Sequence, residues 1–316
     1  MIKIDLITGF LGSGKTTFLK NYVSYLVANG NKVGVIENDF GAINIDMLIL
    51  QDIVSENCDI EQIVGGSVVS DWKRRFKAKL ISMAMCGYNR ILVEPSGIFD
   101  VDAFFDMLYD EPLDRWYQVG NVFAIVDAQI SKDLSEQSKY LLVSQIANAG
   151  SIILSKAQYI DQEQIEETKD ILQNLLEDFK CDRQIKDDVY AKVWKEMIDD
   201  DWEKLAHCGW KKADHKKIWF DHKEEFQSVF IMDVQMSEGK LAYIIHDVIH
   251  NDMCGKVFRI KGFVDIGKKE EPEWIEINAT KEEFTIKKRQ KGQNVIIIIG
   301  ENLDNDTIQK KFEVKE

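Results

Sequence analysis

The chain has 316 residues, 45% of them apolar, with three prolines and a formal charge of −14. The length exceeds one typical domain of roughly 150 residues, the composition is that of a folded chain, and the acidic balance argues against nucleic acid and anionic membrane as partners. Five scattered cysteines make no disulfide framework, no apolar run is long enough to span a bilayer, and the first strand begins with no separate leader, so a reducing, cytoplasmic setting is expected.

The apolar run Ile2–Ile7 leads straight into Gly9-Phe10-Leu11-Gly12-Ser13-Gly14-Lys15-Thr16-Thr17, and a helical pattern follows at about 15–29. Each position of this phosphate-binding loop has a mechanical task. Gly9, Gly12 and Gly14 let the backbone curl so that successive N–H groups, those of Ser13 and Thr17 included, turn inward as an anion nest. The helix that starts there adds the positive end of its dipole. Lys15 is expected at the β- and γ-phosphates, and the Thr16 hydroxyl in the shell of a Mg²⁺ ion.

Further strands are predicted at Lys32–Glu37, Arg90–Glu94, Val122–Asp127 and Ser151–Ser155, with helices at about 71–86, 99–109, 138–148 and 161–178. Short apolar strands alternating with helix-length segments imply parallel pairing with right-handed crossovers. The fold expected for residues 1–181 is therefore α/β, a doubly wound, mostly parallel sheet of the P-loop NTPase kind. Ligands bind such sheets at the carboxyl ends of the strands. Four chemically distinctive stretches start there: Gly9–Thr16, Asn38–Gly41, Glu94–Gly97 and Ser155–Gln158. Residues 182–225 are charged and dotted with Trp194, Trp202, Trp210 and Trp219, and read as a connector whose tryptophans dock it onto a domain. Residues 226–316 alternate strands near 226–234, 256–266, 273–279, 283–288 and 294–299 with helices near 237–251 and 305–312. This is a smaller α+β domain on a mostly antiparallel sheet.

Together these strings resemble the CobW-like GTPases, relatives of the nickel-insertion GTPases of hydrogenase and urease. The resemblance rests on Gly-Phe-Leu-Gly-Ser-Gly-Lys-Thr-Thr, on Asn38-Asp39-Phe40-Gly41 with Ile45-Asp46, on Glu94-Pro95-Ser96-Gly97 and on Ile125-Val126-Asp127. In the C-terminal part it rests on Phe258–Phe263 and Ile299–Asp304. It implies that Thr16, Asp39 and Glu94 hold Mg²⁺, with Lys15, Asp39 and Glu94 as the catalytic set and the Gly97 N–H as a γ-phosphate sensor. It also implies a purine nucleoside triphosphate as ligand and a client protein, a metalloenzyme or corrinoid protein, as partner. For Asp127, capping of the next helix is weighed against a functional role.

Two departures from the family stand out. Relatives hold Zn²⁺, Co²⁺ or Ni²⁺ through Gly-Cys-x-Cys-Cys, whereas this chain has Gly65-Gly66-Ser67-Val68-Val69-Ser70, with Cys58 alone nearby. Without thiolates no Zn, Co or Ni site of the family type is expected. Guanine-specific relatives end a strand in Asn-Lys-x-Asp; here the string is Ser155-Lys156-Ala157-Gln158. Gln158 offers one acceptor and one donor in place of a doubly accepting carboxylate, so GTP is expected with weakened selectivity and ATP as the alternative. His207, Cys208, His215 and His222, the pair His246 and His250, and the basic run Trp72–Lys77 read as solvated or packed surface rather than as metal or nucleic-acid sites. The expected function is a slow, Mg²⁺-dependent GTP hydrolase acting as a switch or metallochaperone in cobalamin- or metal-related maturation. The alternative is a nucleotide-sensing module with negligible turnover.

Overall fold

A computed structural model describes residues 1–39, 50–64, 69–130, 134–218, 226–267 and 272–313. The chain divides into two compact units.

The first unit is built on seven parallel strands: β1 (Ile2–Thr8), β2 (Val33–Asp39), β3 (Cys58–Val64), β4 (Arg90–Glu94), β5 (Tyr117–Asp127), β6 (Ser151–Ser155) and β7 (Val189–Tyr190). Their order is β3-β2-β4-β1-β5-β6-β7. Between them run α1 (Lys15–Ala28), α2 (Val69–Met83), α3 (Asp102–Leu108), α4 (Leu113–Trp116), α5 (Glu136–Ala147) and α6 (Gln162–Asp178). β4 is buried along its whole length and β1 from Ile4 onward, as expected of central strands covered on both faces. Phe18, Leu19, Tyr22, Val23 and Leu26 of α1 pack onto Ile7, Val33, Val35, Leu92, Phe123 and Ile125.

β3 and β7 escape the sequence pattern for different reasons. β3 is an edge strand whose short alternation, Cys58 to Glu61, fails at Gln62 and Ile63, and β7 has only two residues. β5 starts five residues before the predicted Val122 because its polar beginning is organised around a buried charge. Asp5 Oδ2 accepts from Arg90 Nε at 2.7 Å and from Tyr22 Oη at 3.0 Å. Its Oδ1 accepts from the Asn121 N–H at 2.8 Å. A Cβ on Gly120 would meet that oxygen at 2.2 Å, so only glycine fits there.

The same cluster fastens the stretch expected to be a connector. Ala206 O accepts from Arg90 Nη2 at 3.2 Å and from Asn121 Nδ2 at 2.9 Å, and Asn121 Oδ1 accepts from the Gly209 N–H at 2.8 Å. α7 (Asp199–Leu205) brings Trp202 into the α1 core against Phe18 and Tyr22, at ring separations of 5.6 and 6.3 Å. The described part of this stretch thus belongs to the first unit, where it supplies β7, rather than forming a separate linker.

The second unit carries a five-stranded antiparallel sheet of β8 (Phe226–Met232), β9 (Lys256–Asp265), β10 (Trp274–Ala279), β11 (Phe284–Arg289) and β12 (Val295–Glu301), in the order β11-β10-β9-β12-β8. α8 (Glu238–His250) and α9 (Asn305–Phe312) bury Leu241, Ile245, Val248, Ile308 and Phe312 against Ile260, Ile275, Ile277, Ile296 and Ile298.

Removing one member of a buried ion pair leaves the other charge uncompensated and costs about 3–5 kcal/mol. Asp5→Ala is expected to destabilise the first unit by about that amount, read as a lower urea midpoint, because Arg90 would keep only the Ala206 carbonyl among the acceptors named above.

Candidate nucleotide site

Because every strand of the first sheet runs the same way, the chain leaves β1, β2, β4, β5 and β6 at one edge, and the candidate residues gather there. The loop after β1 has the strained backbone its glycines permit. Gly9, Gly12 and Gly14 take φ of 146°, 76° and 94°, and Gly14 in the left-handed region is the N-cap of α1. A Cβ on Gly9 would lie 2.2 Å from Ile125 O and 2.8 Å from Ser13 Oγ. Lys15 is buried and donates to Gly9 O at 2.9 Å and Phe10 O at 3.1 Å. Ser13 Oγ is buried without a hydrogen-bond partner among the described residues, a polar group inside the curl of the loop. Thr17 is exposed on the first turn of α1.

Thr16 Oγ1 donates to Glu94 Oε1 at 2.7 Å, which joins the loop to the end of β4. A hydroxyl and a carboxylate in contact are the hard oxygen donors that suit Mg²⁺. β2 extends to Asp39, whose side chain lies outside the described residues, as do Phe40, Gly41, Ile45 and Asp46. Glu37, which sequence reasoning did not single out, is 2% exposed and paired in register with Glu94, so two carboxylates stand side by side on neighbouring strands. Beyond β4, Gly97 packs on the loop itself, and a Cβ there would meet the Leu11 N at 2.7 Å.

At the end of β6, Ser155 Oγ turns back to donate to Val126 O at 3.3 Å. Lys156, at φ 58°, pairs with Asp127 Oδ2 at 2.7 Å, and Gln158 is exposed. Asp127 also accepts from the Gln129 N–H at 3.0 Å, while Ser135 caps α5. Of the two readings weighed for Asp127, the helix cap is not what the structure has: Ser135 caps α5, and the Asp127 carboxylate pairs with Lys156. Trp194, read from sequence only as a docking residue, lies against the loop, where a Cβ on Gly14 would meet its Cη2 at 3.2 Å and Ser155 Cβ at 3.6 Å.

The description "CobW/HypB/UreG, nucleotide-binding domain" matches residues 3–182, more than half of the chain, and "Cobalamin synthesis protein cobW C-terminal domain" matches residues 227–315. The chain belongs to the CobW/HypB/UreG family. The zinc chaperone YeiR of Escherichia coli (strain K12) is 27% identical over 200 residues, covering 63% of this chain and 58% of that protein. The zinc chaperone YjiA of the same organism is 27% identical over 162 residues, 49% of each. The chain spans about half the length of these curated relatives. Among solved structures, Zn(II)-bound YjiA GTPase from E. coli is similar over 98% of both chains at 18% identity, with a TM-score of 0.39.

Residues 65–68, where this family member departs from the thiolate motif, lie outside the described residues, and so does His222. Cys58 is buried in the α1 core, where burial pushes its thiol up to about 11. Burial likewise raises Cys208 to about 12. His207 is exposed, with Nδ1 2.8 Å from Glu203 O, whereas His215 is buried beside Tyr140. His246 and His250 stack at 4.3 Å on an exposed face of α8. Among the described residues no group of three or more His, Cys, Asp or Glu is arranged to hold a metal ion. In the basic run, Trp72 is buried between Phe76 and Phe99, while Lys73 and Lys77 pair with Asp106 and Asp110 at 3.6 and 3.7 Å.

Overpacking costs about 1–3 kcal/mol. Gly9→Ala is expected to lower the thermal midpoint of the first unit by several degrees, because the clash is with the β5 main chain. Gly30 has φ 77° but open space around it, so Gly30→Ala should show only the smaller cost of a left-handed alanine, about 1–2 kcal/mol.

Proposed function

We propose that this protein is a slow, Mg²⁺-dependent GTP hydrolase that uses nucleotide binding as a switch in the maturation of a metal-dependent client enzyme. The observation that carries the reading is the loop itself: a glycine curl with a buried Lys15 and a Ser13 hydroxyl that has no hydrogen-bond partner among the described residues, joined to a strand-end carboxylate through Thr16 and Glu94 at 2.7 Å. Family membership supports it, and the description of YeiR and YjiA as zinc chaperones supports a client that needs a metal.

In this reading the loop amides, Lys15 and the Ser13 hydroxyl hold the phosphates. Thr16 and Glu94, with Asp39, would hold Mg²⁺, which neutralises charge developing on the β- and γ-phosphate oxygens. Asp39 or Glu94 orients the attacking water, and Gly97 presents its N–H to the γ-phosphate. Lys156, steered by Asp127, lies along the base, and Gln158 meets its edge with one acceptor. Isolated NTPases of this design lack a stabilising cation supplied in trans, and such a cation raises rates by roughly 10³–10⁵. Intrinsic turnover is therefore low and client-dependent. With Gly66, Val68 and Val69 in place of the family thiolates, this chain acts through its conformation rather than by holding zinc at that segment. Metal analysis with and without nucleotide tests that point, and zinc retained at one equivalent per chain would refute it.

Titration in the presence of Mg²⁺ is expected to show GTP preferred over ATP by a small factor, and Lys15→Ala should bind neither. Gln158→Asp restores a charge-assisted acceptor pair and is expected to raise the GTP preference by roughly 10–100-fold, given about 1.5–3 kcal/mol for hydrogen bonds to a charged group. A wild-type protein that ignores GTP, or clearly prefers ATP, would overturn the assignment.

A further inference from the structure

The segment after β4 is held from one side by the loop and from the other by α5. Gly97 touches the Leu11 main chain so closely that a Cβ would meet its N and Cα at 2.7 and 2.9 Å. On the opposite side, Gln145 is fully buried and its Nε2 donates to Gly97 O at 3.0 Å. Its Oε1 is buried too and has no hydrogen-bond partner among the described residues. An amide with one half satisfied and the other orphaned is costly in a helix interior, where an apolar residue would pack freely.

Further contacts extend the hold. Ser144 Oγ accepts from the Val101 N–H at 3.1 Å and donates to Asp100 Oδ1 at 2.8 Å. Tyr140, one turn earlier on α5, donates to Asp100 Oδ2 at 3.0 Å. Asp102, at the start of α3, pairs with Lys217, in the stretch of chain that leads towards β8. Three polar side chains of α5, Tyr140, Ser144 and Gln145, thus bond to Gly97, Asp100 and Val101.

We propose that α5 is a latch on the Gly97–Asp102 segment, and that Gln145 is the positioning residue that sets how readily Gly97 answers a γ-phosphate. The proposal rests on the nucleotide reading above. In this proposal, Gly97 moves as a whole when its N–H engages a phosphate, and its carbonyl then gives up the bond from Gln145 Nε2. The orphaned Oε1 is then available to a donor in the rearranged segment. Lys217 adds a weaker, solvent-exposed restraint on Asp102. Binding a triphosphate works against this latch and binding a diphosphate does not, so the latch lowers affinity for one ligand only.

The test compares GDP with a non-hydrolysable GTP analogue, both with Mg²⁺, on wild-type protein, Gln145→Met and Lys217→Ala. Methionine keeps the length of the buried side chain and removes both the bond and the orphaned oxygen; Lys217 is exposed and its loss leaves the core untouched. Gln145→Met is expected to bind GDP within about twofold of wild type and the analogue about fivefold more tightly, the equivalent of one net buried hydrogen bond. Lys217→Ala should shift the same ratio in the same direction by about twofold, as an exposed ion pair would. Normal wild-type binding with an unmoved or lowered analogue-to-GDP ratio in Gln145→Met overturns the latch, and if that variant does not fold, Lys217→Ala decides on the same criterion. A wild-type protein that binds neither nucleotide overturns the nucleotide reading and the latch with it.

Discussion

The first unit depends on the close approach of the loop after β1 to the strand beside it. Gly9 lies against the Ile125 carbonyl with no room for a side chain, and that contact lets the chain turn sharply enough to close on itself before α1 begins. The consequences are geometric. Lys15 folds back over the loop, Ser13 points inward, and Thr16 leaves the first turn of α1 aimed at β4. A parallel sheet then does the rest, because every strand delivers its following loop to the same edge. Glu94, Gly97, Asp127 and Ser155 need no long-range arrangement of their own; each has only to follow its strand.

Behind that edge lies a buried polar cluster. Asp5, Arg90, Tyr22 and Asn121 tie β1, β4, α1 and β5 to the Ala206 carbonyl, and so hold the stretch around α7 on the sheet. The charges are costly to bury, and breaking the pair by removing one partner costs more than the pair itself contributes. Because α1 carries both the loop at its start and Tyr22 within its length, the cluster fixes the helix that the phosphate loop leans on. The same fastening brings Trp194 to Gly14, so a residue far along the sequence becomes part of the loop's wall.

What could be read from sequence follows from where each signal is stored. The central strands, α1, the glycine loop and the second unit's sheet were legible because local periodicity and backbone chemistry fix them. The edge strand β3 was not: its short alternation, Cys58 to Glu61, fails at Gln62 and Ile63. The stretch around Trp194 and Trp202 was legible as a connector docked by its tryptophans, but not where it docks, since its packing comes from contacts with residues more than a hundred positions earlier. Glu37 was hidden by the more familiar string that follows it. Only the β2–β4 register shows it beside Glu94. Gln145 left a faint trace, one of three polar residues with Ser144 and Asn148 in the otherwise apolar Leu141–Ala149, but its partner Gly97 is visible only in the fold. The carboxylate of Asp127 was legible as a strand-end group, and what it touches was not.

The two ends of the candidate site are organised by different forces. At the end proposed for the phosphates, a glycine-curled main chain, a buried ammonium and the Thr16–Glu94 hydroxyl–carboxylate contact meet at one sheet edge, which gives dense and directional electrostatics. At the base end Ser155 bonds its own sheet neighbour, Gln158 is exposed and neutral, and the charge present is a Lys156–Asp127 pair that largely cancels itself. In the proposed reading, affinity then comes from the triphosphate, and discrimination between bases is the weaker property. That asymmetry suits a switch more than a metabolic enzyme. A switch must distinguish two phosphate states of one nucleotide, and the segment proposed to do so, Gly97 to Asp102, is held between the loop and α5 by several small contacts. Hydrogen bonds worth about 1 kcal/mol each keep such an arrangement sensitive, because the differential binding of a single phosphate is enough to overcome a few of them.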